Sequence, residues 1–470
     1  MSRKIILFLF LFASTVNSVW ANDKEDSTLV YRPAYHFTTQ KNAMGAPVGI
    51  IHDGETYHLF YEYNSNGLEA ENYSLGHATS SDLVHWKEQT VAFSPDGLGL
   101  QGASCLTDEN NVLEKQSGAQ KTYVLAYSEE GGIRIAYSTN AGNSWQDFSS
   151  TAVISCDTIE HARQPKLMWY KEEQCYVLLV ARSPRGDADA EGISFYSSKN
   201  LKDWTFNSHI RGLKGSPDLF RLPINGDSTN EKWVLSDAEG AFMLGDFNGK
   251  SFSALTSKQS NQGGEFNSPT TFIDSKENRT IQIASLSTEQ LEGIDYCGVL
   301  SLPMQLALVQ HDDEPIILTK KPIAELKELS ARSVLSLRDK KLIPGINENP
   351  IHRLKGVSVR IDAKLDLNNV DAFGFLILNS RKNEGSELMY NAKKNTLSWI
   401  NDTFSIKPKE NKMAVEIWVD KSTVEIFVDG GETIISTQVE PNIGNEKYVL
   451  AGQGGELLVK SLNAHSLNLK

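Results

Sequence analysis

In the last third of the chain, apolar and polar residues alternate at period two in four stretches: Val357 to Ile361, Phe373 to Leu378, Val415 to Val419 and Val424 to Val428. Period two puts successive side chains on opposite faces of a strand, so each stretch is expected to be a strand with one face in a core. Together they predict a β-sandwich over residues 330–470. Just upstream, Pro322 to Leu329 has helical spacing and is the one convincing helix, a connector with the domain boundary near Ser330. Before it a longer pattern recurs: a strand rich in β-branched and aromatic residues, a second strand ending in small hydroxyl residues, a polar turn, then Trp. The copies run from Ala78 to Trp86, Ala136 to Trp145 and Tyr196 to Trp204, and both Trp-to-Trp intervals are 59 residues. Asp246 to Phe252 is a degenerate fourth copy. A unit of this size, closed by an Asp or Asn turn and an aromatic plug, is one blade of a β-propeller. A plain sandwich would space its turns by only about 8–12 residues and would not hold a constant aromatic.

Composition narrows the field. At 470 residues, with 40% hydrophobic and 22% charged residues, the chain is globular and long enough for two domains. Lys plus Arg number 46 against 59 Asp plus Glu, a formal charge of −13, so the basic footprint of a nucleic-acid or anionic-membrane partner is missing. Arg3 and Lys4 precede an apolar run from Ile5 to Ala13, and Val19-Trp20-Ala21 supplies small residues for cleavage before Asn22, so residues 1–21 are read as an export signal. That run is too short to cross a bilayer and no later segment spans one, so the mature protein is expected to be periplasmic or extracellular. Cys105, Cys156, Cys175 and Cys297 are too few for a disulfide framework and lack metal-site spacing. His77, His85 and His161 fall in different repeats without a carboxylate at ligand spacing, so neither a metal nor a cofactor is expected.

Several motifs, in order, resemble glycoside hydrolase family 32, which contains invertases, inulinases and levanases. They are Tyr31 to Phe37, His58 to Asn64, Gly76-His77-Ala78, Asp82 to Trp86, Pro217 to Phe220, Gly245 to Lys250, Leu302 to Leu306 and Val419 to Val428. The resemblance covers nearly the whole mature chain and implies an all-β protein, a five-bladed β-propeller over 31–324 followed by a C-terminal β-sandwich. It also implies hydrolysis of fructosides with retention, which needs two carboxyls about 5–5.5 Å apart, and in this family a third Asp that holds sugar hydroxyls.

Those carboxyls are missing where the motifs place them. The family's W-M-N-D-P-N-G falls on Ala43 to Gly49 and puts Ala46 at the nucleophile. R-D-P falls on Arg163-Gln164-Pro165, so the hydroxyl clamp is Gln164. E-C-P-D falls on Gly215-Ser216-Pro217-Asp218, so the acid position is Gly215 and Asp218 is read as structural. Sugar-contact positions differ as well: Ala43 and Leu75 stand for Trp, and Glu62 for Gln. Small residues at 43, 45, 46, 215 and 216 are expected to widen the axial pocket, with Arg163 near its floor.

The resulting expectation is a non-catalytic carbohydrate-binding relative, inactive on fructosides, with Arg163, Glu62, Gln164 and Ser216 as ligand-binding residues. The alternative is a glycosidase of altered specificity using relocated carboxylates, drawn from Glu62, Asp157, Glu160 and Glu265. Glu62 leads, because burial on its strand would raise its pKa toward that of a general acid. A third class, a partner-binding surface, has no positive sign in the sequence. Ser138 to Trp145 resembles a sialidase hairpin, but Arg163 is the one arginine placed by a catalytic motif, so the hairpin is read as a blade turn.

Overall fold

The three Trp-ended repeats fold as the sequence spacing requires. In each, a serine hydroxyl at the strand end donates to the turn residue's side chain: Ser80 to Asp82 (3.0 Å), Ser138 to Asn140 (2.9 Å) and Ser198 to Asn200 (3.1 Å). That side chain accepts backbone N–H groups further round the turn, from Val84 and His85, from Ser144, and from Lys202 and Asp203. The chain then passes through a left-handed residue (Leu83 φ 66°, Ala141 φ 56°, Leu201 φ 61°). The closing indole donates back to a turn carbonyl, Trp86 to Leu83, Trp145 to Gly142 and Trp204 to Leu201, at 3.0–3.1 Å. In the degenerate copy Asn248 still accepts the amides of Lys250 and Ser251, without a Trp to lock the turn.

The computed structural model describes residues 31–95, 99–129, 131–155, 163–183, 187, 190–287, 290–291, 293–312, 314–344, 349–378, 386–442 and 444–467. The expected export signal and Cys156, Asp157, Glu160 and His161 lie outside these. Five blades surround an axis. Their innermost strands are Asn42–His52 (β1), Ala103–Thr107, Arg163–Tyr170, Asp218–Ile224 and Asn267–Asp274. In the first blade β1 pairs with Tyr57–Asn64 (β2), and β2 with Ser74–Ser80 (β3). Tyr296–Cys297 returns from the fifth blade to pair in parallel with the start of β1, which closes the ring. The fourth and fifth blades join in one sheet through Ile224 and Leu308.

The connector at Ala324–Leu329 is a single 3-10 segment, shorter and tighter than the expected helix, with Leu326 and Leu329 buried. A seven-stranded and a five-stranded sheet follow as the sandwich, around Phe373, Phe375, Trp399, Ile417, Ile426 and Leu462. The four expected strands are all present, with Val357–Ile361 extended to Ser358–Asn369.

The two domains share a core and a sheet. Gln262–Gly264 of the propeller pairs in parallel with Thr433–Gln438 of the sandwich. Tyr35, Trp418 and Phe427 pack in one cluster with Tyr57, Tyr61 and Leu286. His36 crosses the seam fully buried, its Nδ1 3.0 Å from Asp420 and its Nε2 3.0 Å from Glu425. Asp420 also accepts the backbone N–H groups of Ala34, Tyr35 and His36, and Glu425 those of Leu302 and the Ser436 hydroxyl. Burial works against a charged imidazole, but the two carboxylates outweigh it and raise the His36 pKa from 6.5 to about 9.

Candidate functional site at the converging strand starts

The innermost strands begin at the same end of the axis, and the motif residues sit at those beginnings. Between Met44 and Pro47, β1 carries two residues, Gly45 and Ala46, opposite the single Glu62 of β2. This β-bulge turns the Ala46 N–H toward the Glu62 side chain, whose Oε2 accepts it at 3.0 Å. Gly102, just before the second blade's inner strand, donates a second backbone hydrogen bond to Glu62 and packs against Gln164. The Gln164 Oε1 in turn faces Gly215, and Ser216 donates to Ser268 at the start of the fifth blade (2.9 Å). Positions 46, 62, 164, 215 and 216 therefore form one chain of contacts across all five blades.

The backbone there is strained. Gln164 (φ 51°), Gly215 (φ 63°) and Ser268 (φ 48°) all adopt left-handed conformations at strand starts, and Gln164 and Ser268 do so with a side chain present. Such strain persists only where the surroundings impose it and concentrates at functional sites.

The small residues do not open the pocket in the way expected from sequence. A β-carbon at Gly45 would lie 2.6 Å from Glu62 Oε2 and 2.9 Å from Tyr73 Cζ. One at Gly215 would lie 2.8 Å from the Ala238 β-carbon and 3.2 Å from Gln164 Oε1. The room released at these positions is thus filled by Glu62, Tyr73, Ala238 and Gln164. Ala43 and Leu75 are entirely buried, so both positions are core. Arg163 is exposed, which corrects its expected place at the floor: the first residue of a strand that starts at the mouth carries its guanidinium into solvent.

Deeper in the channel, Lys166 pairs with fully buried Asp218 at 2.8 Å and also reaches Thr270 and Thr271. Asp218 thus bridges inner strands. Glu265 is at the domain seam, where its carboxylate accepts the Gln438 N–H (3.0 Å). His77 is buried beneath Phe60 and contacts His58, which in turn meets Asp53; burial, then His58, lowers the His77 pKa to about 4. His85 pairs with Asp82 in its turn. A separate polar cavity of about 460 Å³ lies at the opposite ends of the strands, between His52–Gly54 and Gln120–Tyr123.

Glu62 is the group with chemical potential at the strand starts. It is 9% exposed, and loss of solvent raises its pKa from 4.5 to about 7 against the lowering effect of the Ala46 and Gly102 amides. Tyr73, which had no place in the sequence reading, stands beside it, its phenol held well above its ordinary pKa by burial and then by Glu62. The signal lay in Gly45, read in the sequence only as a small residue: a β-carbon there would meet both groups.

An all-β propeller and sandwich with its motif residues gathered at the strand starts defines a glycosidase-type scaffold. The profile for the glycosyl hydrolases family 32 N-terminal domain matches residues 36–322 and that for the family 32 C-terminal domain matches residues 326–466, so the chain belongs to glycosyl hydrolase family 32. It is 28% identical over 521 residues to a levanase of Bacillus subtilis (strain 168), covering 99% of this chain and 75% of the levanase. It is 23% identical to an extracellular exo-inulinase of Aspergillus niger, covering 93% and 94% of the two chains. Among solved structures, an exo-inulinase from Aspergillus awamori superposes with a TM-score of 0.80 at 22% identity, covering 93% of this chain and 98% of that one. A fructofuranosidase from Schwanniomyces occidentalis complexed with fructosylnystose superposes with a TM-score of 0.79 at 21% identity, covering 97% and 100%.

Proposed function

We propose that this family 32 member is an exported, non-hydrolysing carbohydrate-binding protein whose ligand meets Glu62, Gln164, Ser216 and Arg163 at the strand starts. The observation that carries the reading is the set of side chains at the three family positions. Ala46 has a methyl group where an attacking carboxylate belongs, Gln164 an amide, and Gly215 no side chain. At Gly215 the Ala238 side chain and the Gln164 Oε1 approach the place where a side chain would stand, and at neighbouring Gly45 Glu62 and Tyr73 do the same. Converging polar groups bind a sugar without needing to transform it.

A second reading, a glycosidase using Glu62 as relocated acid, is favoured by one observation. Its carboxyl reaches the backbone of the old nucleophile position and has a pKa suited to proton transfer near neutrality. Retention needs a partner carboxyl about 5–5.5 Å away, and Asp218, which opens the fourth blade's inner strand, is committed to Lys166 at 2.8 Å.

The purified full chain incubated with sucrose, inulin and levan is expected to release reducing sugar only at background. Titration calorimetry against an oligosaccharide panel is expected to show saturable binding. Heat-labile turnover that E62Q abolishes would establish the second reading. N-terminal sequencing of the secreted chain is expected to begin at Asn22.

A further inference from the structure

We propose that the pocket at the strand starts is selective for an anionic saccharide, a sugar bearing a carboxylate, over a neutral one. This rests on the carbohydrate-binding reading and adds the ligand's charge class.

The argument is one of charge placement. A bound carboxylate would be repelled by acidic groups at positions 46, 164 and 215, and all three are uncharged here. What stands there carries no negative charge: the Gln164 amide, whose Oε1 faces Gly215, and the Ser216 hydroxyl, whose proton goes to Ser268. Arg163, the residue before Gln164, adds an exposed guanidinium, the side chain best matched to a carboxylate through paired N–H groups. Glu62 is a carboxyl within this arrangement, while Asp218 at the start of the fourth inner strand is neutralised by Lys166; the geometry of Glu62 limits the harm it can do. Its Oε2 already accepts the Ala46 N–H, and in its protonated form the group has an O–H to donate.

The groups facing Glu62 are the amides of Ala46 and Gly102 and, from the segment before β3, Tyr73, beyond which stands Cys297. None is a cation among the described residues, so burial dominates and Glu62 is mostly neutral below pH 7. The formal charge of −13 does not oppose the inference at close range, because physiological salt screens exposed charges over about 8 Å.

The test uses the full chain, calorimetry at pH 6 and pH 8.5, and matched probes that differ in charge: trigalacturonate with its methyl ester, and 3′-sialyllactose with lactose, alongside neutral nystose. At pH 6 at least one acidic probe is expected to bind about tenfold or more tightly than its neutral counterpart, a difference worth about 1.4 kcal/mol. Its affinity is expected to fall about tenfold at pH 8.5, as Glu62 ionises, and to stay level in E62Q. R163A, at an exposed position, is expected to weaken the acidic probe while leaving the melting temperature unchanged. Equal or tighter binding of neutral partners would overturn the charge inference and leave the carbohydrate-binding reading standing. Failure of every probe to bind would remove both.

Discussion

His36 at the domain seam and Glu62 at the strand starts are both out of solvent, and their surroundings treat them in opposite ways. His36 has a carboxylate on each ring nitrogen, so burial ends in a stabilised charge. Glu62 has two backbone amides and no described cation, so burial ends in a proton held to about pH 7. A paired buried charge can hold two domains together, whereas a lone buried carboxyl costs stability whenever it ionises. Here the seam supplies opposite charge to its buried group, while the strand starts supply backbone amides to theirs.

The largest effect is expected from breaking the seam. Asp420→Ala would leave the N–H groups of Ala34, Tyr35 and His36 and one ring nitrogen without their acceptor, those of Tyr35 and His36 in a buried position. Removing one partner of a buried pair costs about 3–5 kcal/mol. Denaturant unfolding should register that loss; a change under 1 kcal/mol, roughly that of an exposed pair, would show the seam to be ordinary surface.

Next comes the seam's pH dependence. The folded pKa of His36 is raised from 6.5 to about 9, so its contribution is fully present below pH 6.5 and is lost as pH rises through 9. Between those limits the stability gap between wild type and H36N is expected to narrow by about 3 kcal/mol, from ~1.4 kcal/mol per pKa unit. Using the gap cancels Lys320, which burial depresses to about 7 and which drives stability the other way, upward with pH.

At the strand starts the pH slope has the same sign but the opposite origin: rising pH creates a buried charge at Glu62 where it removes one at His36. Glu62 has a folded pKa raised from 4.5 to about 7, so the wild type is favoured below pH 4.5 and loses that advantage as pH rises through 7. E62Q cannot ionise and keeps an acceptor for the Ala46 N–H. Its stability relative to wild type is expected to rise between pH 4.5 and 7, by at most about 3 kcal/mol, and to stay level above. Melting curves across that range that stay parallel would mean Glu62 is ionised throughout, and the contrast with His36 would fail.

The propeller was legible because its signal is repeated: a hydroxyl, an Asp or Asn and a Trp at a constant interval specify local hydrogen bonds that need no distant partner. Glu62 was legible because it sits in an alternating strand at a position where the family resemblance points a side chain inward. The fate of the small residues was not. Gly45 and Gly215 read as empty space along the chain, but which side chains enter that space depends on β2 and on the neighbouring blades. Glu265 was misplaced for the same reason, since the parallel pairing of Gln262–Gly264 with the sandwich joins residues far apart in sequence.

The smallest expected effect is on fructan hydrolysis, when the two lost carboxyls are restored. A46D would set a carboxylate beside Glu62, whose Oε2 already lies 3.0 Å from the residue's own backbone nitrogen, and two acids so close tend to share one proton. G215E must place a side chain on a backbone at φ 63°, with its β-carbon 2.8 Å from that of Ala238. Neither new carboxyl would therefore stand where retention requires it, and a misplacement of one ångström can cost about a hundredfold in rate. Ala43 and Leu75 are closed core and offer no wall to a sugar. The double variant is expected to hydrolyse inulin and sucrose no faster than the parent. Turnover well above the parent would mean that Glu62 and Tyr73 withdraw easily to readmit a fructoside, and that the rebuilt channel end is softer than the seam by more than its charge.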